Sequence, residues 1–184
     1  MVATKPIPFS VSAVLPLEFF YSHKSRRHKM IRISDADKFW KSSDGQLYFD
    51  KKGCYILALR SSKGAIIPCY VGKTEKCFGN EALHSDKLIK FNEVLFDCNG
   101  TPQIIFISQD TKRINKSAID EIETWLIDTI GRRDKFINKK KINSVSVNIN
   151  SFNLKWRIRG VVKPATGEKN ASNAKMLLKL LRIK

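Results

Sequence analysis

The chain of 184 residues lacks several features that would place it in a common class. Its four cysteines form no C-x-x-C pair and no His cluster accompanies them, which argues against a zinc site and favours free thiols. No apolar run approaches the length of a membrane span, and the proline-containing start has no signal-peptide core. These absences predict a soluble, intracellular protein, with the cytoplasm as its expected location and no membrane partner.

Acidic residues are also scarce, and the imbalance is uneven along the chain. There are 34 Lys and Arg against 17 Asp and Glu, which gives a formal net charge of +17. Residues 132–184 hold 15 of the basic residues and 2 of the acidic ones, whereas residues 53–131 are close to neutral. A basic flank of this kind favours a polyanionic partner, and nucleic acid is expected, DNA rather than RNA. The alternative is a surface that only solubilises the protein.

Hydrophobic patterning is clearest in the middle of the chain. Residues 53–60 and 65–72 are rich in β-branched and aromatic side chains, and the short Gly-containing link between them predicts a hairpin. Pro68 marks a sheet edge or a bulge, because proline cannot donate to a ladder. The pattern then predicts a helix, a strand and a helix over residues 86–98, 103–108 and 117–130. This order predicts an α/β (α+β) fold with a small sheet of about three strands flanked by helices.

The composition divides the chain into three regions. Residues 1–50 form an N-terminal extension, residues 51–143 the patterned core, and residues 144–184 a basic C-terminal extension. Within the last region, the sequence predicts a strand over 156–162 and a final helix from about 171 to 181.

One carboxylate in the second core helix falls on the apolar face. At 100° per residue, Glu123 lies inside the arc formed by Ile119, Ile122, Leu126 and Ile130. A buried carboxylate is costly unless it is paired or binds a metal. Two explanations remain open: a structural Glu that satisfies a buried cation or backbone donor, or a metal ligand that faces a cleft.

Three short motifs occur in a recognisable order around this residue. Gly53-Cys54-Tyr55 opens the first strand, Tyr70-Val71-Gly72 closes the second, and Glu123 precedes Leu126-Ile127 on a helix. This ordered set resembles the GIY-YIG nuclease family over roughly residues 51–140. The resemblance implies a metal-dependent endonuclease that hydrolyses phosphodiester bonds with one divalent cation, Mg²⁺ or Mn²⁺.

The resemblance also implies roles for individual residues. Glu123 would hold the cation, Tyr55 would activate or orient the attacking water, and Tyr70 would shape the site and hydrogen-bond a phosphate or water. Gly53 begins the first motif, and Gly72 would let the backbone turn tightly beside the substrate. The alternative for both tyrosines is that they are ordinary strand aromatics in a half-buried sheet.

The chain departs from the family at its usual Arg, about eight residues after the second motif. Asn80 stands there, and no Arg occurs between Arg60 and Arg113. Lys73 and Lys76 are the nearest replacements in sequence, Lys87 is next, and His84 is a further candidate whose alternative is a solvated loop residue. A distant Arg could also fold in, namely Arg113, Arg157 or Arg159. Without a replacement, the chain would be a catalytically inactive GIY-YIG-fold protein that binds nucleic acid or regulates.

The basic flank supplies the expected contacts with nucleic acid. A strand period of two places Lys155, Arg157 and Arg159 on one face, with Trp156 and Ile158 on the other. The predicted contacts are Arg132, Arg133, Lys139, Lys140, Lys155, Arg157, Arg159 and Lys163. A basic RNA-binding protein with a chance motif match is a third interpretation. The oligomeric state is open, with a homodimer as one option.

Overall fold

The structure is a computed structural model that describes residues 6–22, 28–131, 156–162 and 172–182. Its strands are β1 (Ile7–Val11), β2 (Leu15–Pro16), β3 (Phe20–Tyr21), β4 (Lys29–Met30), β5 (Gly53–Arg60), β6 (Ile66–Thr74), β7 (Thr101–Gln109) and β8 (Trp156–Ile158). Its helices are α1 (Ile33–Lys41), α2 (Ser43–Gln46), α3 (Phe78–Glu81), α4 (Ser85–Asp97), α5 (Lys116–Ile130) and α6 (Ser172–Leu181). Within the described ranges, no helix is both long and apolar enough to span a bilayer.

The main sheet has the strand order β6-β5-β7-β1-β8, and β2 pairs with β7 beside this path. The α+β class is therefore confirmed, but the sheet has six strands rather than about three. The additional strands come from both flanks of the patterned core, because β1 and β2 pair with β7, and β8 pairs in parallel with β1. Pro8 lies within β1, and its carbonyl accepts a hydrogen bond from the Asp110 backbone N–H.

Helices cover both faces of this sheet. Along β5, Cys54, Ile56 and Ala58 face a core that includes α5, α6 and Trp156 of β8. Tyr55 and Leu57 alternate with them and face a second core that includes α1, α3 and α4. Two-sided burial explains why β5 reads as a continuous apolar run instead of an alternating one.

The predicted elements of the core lie within two residues of the observed ones. Pro68 marks both of the predicted features, since β6 is an edge strand and its register with β5 shifts between Leu57 and Ala58. Residues 156–162 were predicted as one strand, but β8 ends at Ile158. Gly160 has a φ of 70° and turns the chain, so that Val162 bridges back to Ile158.

Gly72 has a different role from the tight turn that the resemblance implies. It lies within β6 directly opposite Tyr55, and a Cβ at this position would be 2.3 Å from Tyr55 Cζ. The glycine is needed because the tyrosine ring lies across it. Gly53 has a φ of 142° and its Cβ would meet the Ile107 carbonyl at 2.1 Å, so the first motif also requires its glycine.

Replacing Gly72 should therefore damage the fold through Tyr55. We expect Gly72→Ala to lower the free energy of unfolding by about 2 kcal/mol, because the new methyl group overpacks the ring. The loss should shrink in a Tyr55→Leu background, which removes the clashing atoms. Urea denaturation measures both, with Ser62→Ala in the exposed hairpin turn as a control expected within about 0.5 kcal/mol of wild type. Strictly additive losses would contradict this account.

Candidate active site at the β6 edge

Strand β6 is where the three sequence motifs meet. Tyr55 lies opposite Gly72, and its ring centroid is 6.1 Å from that of Tyr70. Lys73 follows Gly72 and reaches α5, where it pairs with Glu123. The edge strand therefore links a tyrosine pair to a buried carboxylate from a helix about 50 residues further along the chain.

Tyr55 is buried more completely than its implied role suggests. The residue is 0% exposed and its ring packs edge-on against Phe78, with centroids 6.3 Å apart. Its hydroxyl makes no hydrogen bond of normal geometry within the described ranges. Burial, with a smaller contribution from Tyr70, raises the pKa of Tyr55 far above its ordinary value, so the phenol stays protonated. Solvent does not reach Tyr55 in this conformation.

Tyr70 is the more accessible member of the pair. It is half-buried on the edge strand. Burial raises its pKa, while the ammonium of Lys87 opposes the shift. A neutral hydroxyl beside a fixed cation is suited to hydrogen-bonding a water or a phosphate oxygen.

Glu123 is buried on α5, as its position on the apolar face predicts. It is 8% exposed, and its Oε2 lies 3.5 Å from Lys73 Nζ. The same ammonium pairs with Asp120, one helical turn earlier. Burial alone would lower the pKa of Lys73, but the hydrogen bond with Asp120 and the charge of Glu123 outweigh it and raise the pKa. The ion pair with Lys73 offsets the cost of burying the Glu123 carboxylate.

A second group of charges lies at the start of α4, on the other face of the sheet. Lys87 is 17% exposed, with its Nζ 3.3 Å from Glu81 and paired to Asp86. His84 is the N-cap residue of α4 and its Nδ1 lies 3.0 Å from Asp86 Oδ1. Hydrogen bonding from Lys87, supported by His84, lowers the pKa of Asp86 to about 2. The positive charge of Lys87 in turn lowers the pKa of Tyr70.

Distance from the second motif ranked Lys87 behind Lys73 and Lys76, although its position on α4 gives a clear signal. Lys87 lies four and seven residues before Phe91 and Val94, on the same helical face as these apolar side chains. A charged residue on an apolar stripe is the same signal that identifies Glu123. At 100° per residue Asp120 falls on the polar side of α5, and it is only half-buried, so no comparable signal marks it.

Several predicted residues lie elsewhere. Lys76 is exposed after β6, and Arg113 is exposed in the loop after β7. Arg157 and Arg159 lie in and just after β8, at the opposite edge of the sheet from β6, and Arg159 pairs with Asp110 at 3.1 Å. The other predicted nucleic-acid contacts lie outside the described residues: Arg132, Arg133, Lys139, Lys140, Lys155 and Lys163.

The side chains at β6 offer a small oxygen donor set for a metal. Among the described residues, no three His, Cys, Asp or Glu side chains converge in a way that could hold an ion. Two carboxylates, from Asp120 and Glu123, do converge on one positive charge, the ammonium of Lys73. Carboxylate oxygens are the ligands that hard divalent cations prefer. In the structure the Lys73 ammonium occupies the place between the two carboxylates, so a divalent cation would have to displace it.

No family model matches this chain, and neither a curated protein nor a solved structure matches it. The resemblance to the GIY-YIG family therefore rests on the sequence motifs alone.

Lys73 should matter for stability because it neutralises a buried acid. We expect Lys73→Met to lower the free energy of unfolding by about 1–3 kcal/mol, since Glu123 loses its ammonium partner. Adding Glu123→Gln should restore part of the loss. Thermal and urea denaturation measure both, and the exposed Lys76→Met is the matched control. Equal effects of the two lysine substitutions would show that the ion pair contributes nothing.

Proposed function

We propose that this protein is a metal-dependent endonuclease that hydrolyses phosphodiester bonds in nucleic acid, DNA rather than RNA, at the edge of β6. One observation carries the proposal. Tyr55 on β5, Tyr70 on β6 and Glu123 on α5 lie around the edge strand β6, with the tyrosine pair and Lys87 on one face of the sheet and Glu123 with Lys73 on the other. Charged groups held at a sheet edge against apolar packing are costly for stability, and function is a common reason for keeping them.

Lys87 and Tyr70 form the half of the site that would contact the scissile phosphate. The Lys87 ammonium is fixed by Glu81 and Asp86, and its charge reaches the Tyr70 hydroxyl. A fixed cation of this kind stabilises negative charge that develops on a phosphoryl oxygen, which is the contribution expected of the missing Arg. Tyr70 would orient a water or a phosphate oxygen. The buried Tyr55 would hold the Tyr70 ring in position by packing against it.

Glu123 and Asp120 form the other half, as the residues that would hold a divalent cation. Such a cation, when bound, would polarise the phosphoryl oxygen and stabilise the leaving oxygen. Lys73 keeps the two carboxylates close together, which prepares the donor set. The side chain of Lys73 is 33% exposed, and its long stem lets the ammonium move toward the bound polyanion.

Charge supports nucleic acid as the substrate. Residues 132–184, which follow directly after α5 and Gly131, hold 15 Lys and Arg against 2 Asp and Glu. Binding that depends on such a flank should weaken steeply with salt, because phosphate contacts release counterions.

A second candidate function is a nucleic-acid-binding or regulatory protein that has kept the site residues without the chemistry. One feature of the site favours it: Lys73 already neutralises Glu123 and Asp120, and Lys87 is paired with Glu81 and Asp86. In this case the basic flank would still bind nucleic acid, but the site would not cleave it.

Cleavage separates the two candidates. We expect the wild-type protein to cut supercoiled plasmid, linear duplex or single strands in Mg²⁺ or Mn²⁺, and Glu123→Gln to lower the rate on the order of 100-fold or more. Binding in EDTA should be unchanged in this variant, and Glu93→Gln on the exposed side of α4 is the matched control. If the wild type binds but never cuts, the second candidate is correct. Cutting by Glu123→Gln at the wild-type rate would remove Glu123 from the mechanism.

The role of Lys87 has its own test. We expect Lys87→Met to reduce the cleavage rate by at least tenfold, and Lys87→Arg to retain most of it, because a guanidinium supplies the same charge. Lys90→Met, on the exposed face of the same helix, controls for the loss of a positive charge. Full activity in Lys87→Met would assign the phosphate contact to another cation.

A further inference from the structure

The two carboxylates of the candidate metal site already hold a cation that belongs to the chain itself. Asp120 and Glu123 are three residues apart on α5, and the ammonium of Lys73 pairs with both of them. The side chain of Glu123 is 11% exposed, whereas that of Asp120 is 50% exposed. The carboxylate pair is therefore occupied by Lys73, yet solvent reaches it from the Asp120 side.

The backbone of Lys73 is fixed, but its side chain is free to leave. Lys73 pairs with Cys54 in the ladder between β5 and β6, and both Cys54 and the next residue, Thr74, are buried. The Lys73 side chain is 33% exposed and carries its charge on a flexible four-carbon stem. An ion pair that keeps some contact with solvent contributes little to stability, so the ammonium can exchange one anionic partner for another.

The ammonium and a divalent cation cannot share the carboxylate pair. Mg²⁺ binds carboxylate oxygens at about 2.0–2.1 Å, whereas an ammonium donates its hydrogen bonds at about 2.7–2.9 Å. Both ions need the same oxygens of Asp120 and Glu123, and their like charges repel each other at this range. Either Lys73 or a divalent cation is bound there at any one time.

We propose that Lys73 is an internal competitor for the metal site, which a nucleic-acid phosphate draws away from Asp120 and Glu123. The inference rests on the proposed function and adds its regulation: the free protein binds the divalent cation weakly, and nucleic acid makes that binding tighter. Lys73 lies on the edge strand β6, so a backbone phosphate at this edge would offer its ammonium an alternative anion. The coupling is reciprocal, because each ligand removes the same obstacle to the other.

Mn²⁺ binding to the full chain without nucleic acid tests the competition. The electron paramagnetic resonance signal of free Mn²⁺ falls as the ion binds, which gives its affinity without any cleavage. We expect Lys73→Met and Lys73→Gln to bind Mn²⁺ about tenfold more tightly than the wild type, and Lys73→Arg to bind it no more tightly. Adding Glu123→Gln to Lys73→Met should abolish the gain. Lys116→Met is the matched control, since it removes an exposed positive charge that also acts on Asp120, and we expect a change of less than about threefold.

A second measurement tests the coupling to nucleic acid. The probe is a single-stranded phosphorothioate oligonucleotide, which resists hydrolysis, and the readout is the Mn²⁺ concentration that half-broadens the Asp120 and Glu123 amide signals. We expect the oligonucleotide to lower this concentration about tenfold in the wild type, but by less than about threefold in Lys73→Met, where the site is already open. Glu123→Gln with the same oligonucleotide corrects for Mn²⁺ that the oligonucleotide itself carries.

The outcomes separate this inference from the nuclease proposal. Equal Mn²⁺ affinity in the wild type, Lys73→Met and Lys73→Gln would overturn the competition, even in a protein that cuts nucleic acid. An oligonucleotide effect of the same size in the wild type and Lys73→Met would assign the coupling to a metal-bridged phosphate and overturn the role of Lys73. Absence of Mn²⁺ binding at Glu123 in every variant would overturn both proposals. Tighter binding in Lys73→Met, together with coupling in the wild type alone, would support the inference even if the protein cuts nothing.

Discussion

The contact of the Tyr55 ring with Gly72, across the β5–β6 hairpin, is the constraint on which the site depends. It fixes the pairing register, because only a glycine can lie beneath the ring. A slip of one residue would exchange the two faces of each strand. In the observed register, Tyr55 and Tyr70 face α3 and α4 while Cys54 and Lys73 face α5. The candidate site therefore draws on both faces of the sheet where β6 forms its edge.

Two charged residues on apolar helical faces complete this arrangement. Glu123 on α5 and Lys87 on α4 approach β6 from opposite sides, and each is held by charges of the opposite sign. Burying such groups is unfavourable unless they are paired, and replacing a buried pair with apolar residues is often neutral or stabilising. Stability therefore gives little reason to keep both ion-pair groups in one place. The proposed nuclease function would give such a reason, because it needs a fixed cation and metal-binding oxygens around the same phosphate.

The sequence predicts the middle of the chain well and its edges poorly. Hydrophobic periodicity over residues 53–130 is strong, so the hairpin and both long helices lie close to their predicted bounds. The added strands are short and their partners are distant in sequence, so local pattern could not identify β1 or β2, nor place β8 next to β1. The burial of Glu123 was predictable from its helical face, and that of Lys87 would have been by the same argument. The sealed position of Tyr55 depends on Phe78 and Tyr70 packing around it, which no local pattern encodes.

The most direct test of the account is to locate a bound divalent cation on the protein. Mn²⁺ broadens the NMR signals of nuclei near it, so titration of the ¹⁵N-labelled chain reports the position of the ion. We expect the amide signals of Lys73, Asp120 and Glu123 to broaden first, and Glu123→Gln to prevent this. Broadening centred elsewhere, or broadening that the variant leaves intact, would contradict a metal-dependent active site at the β6 edge.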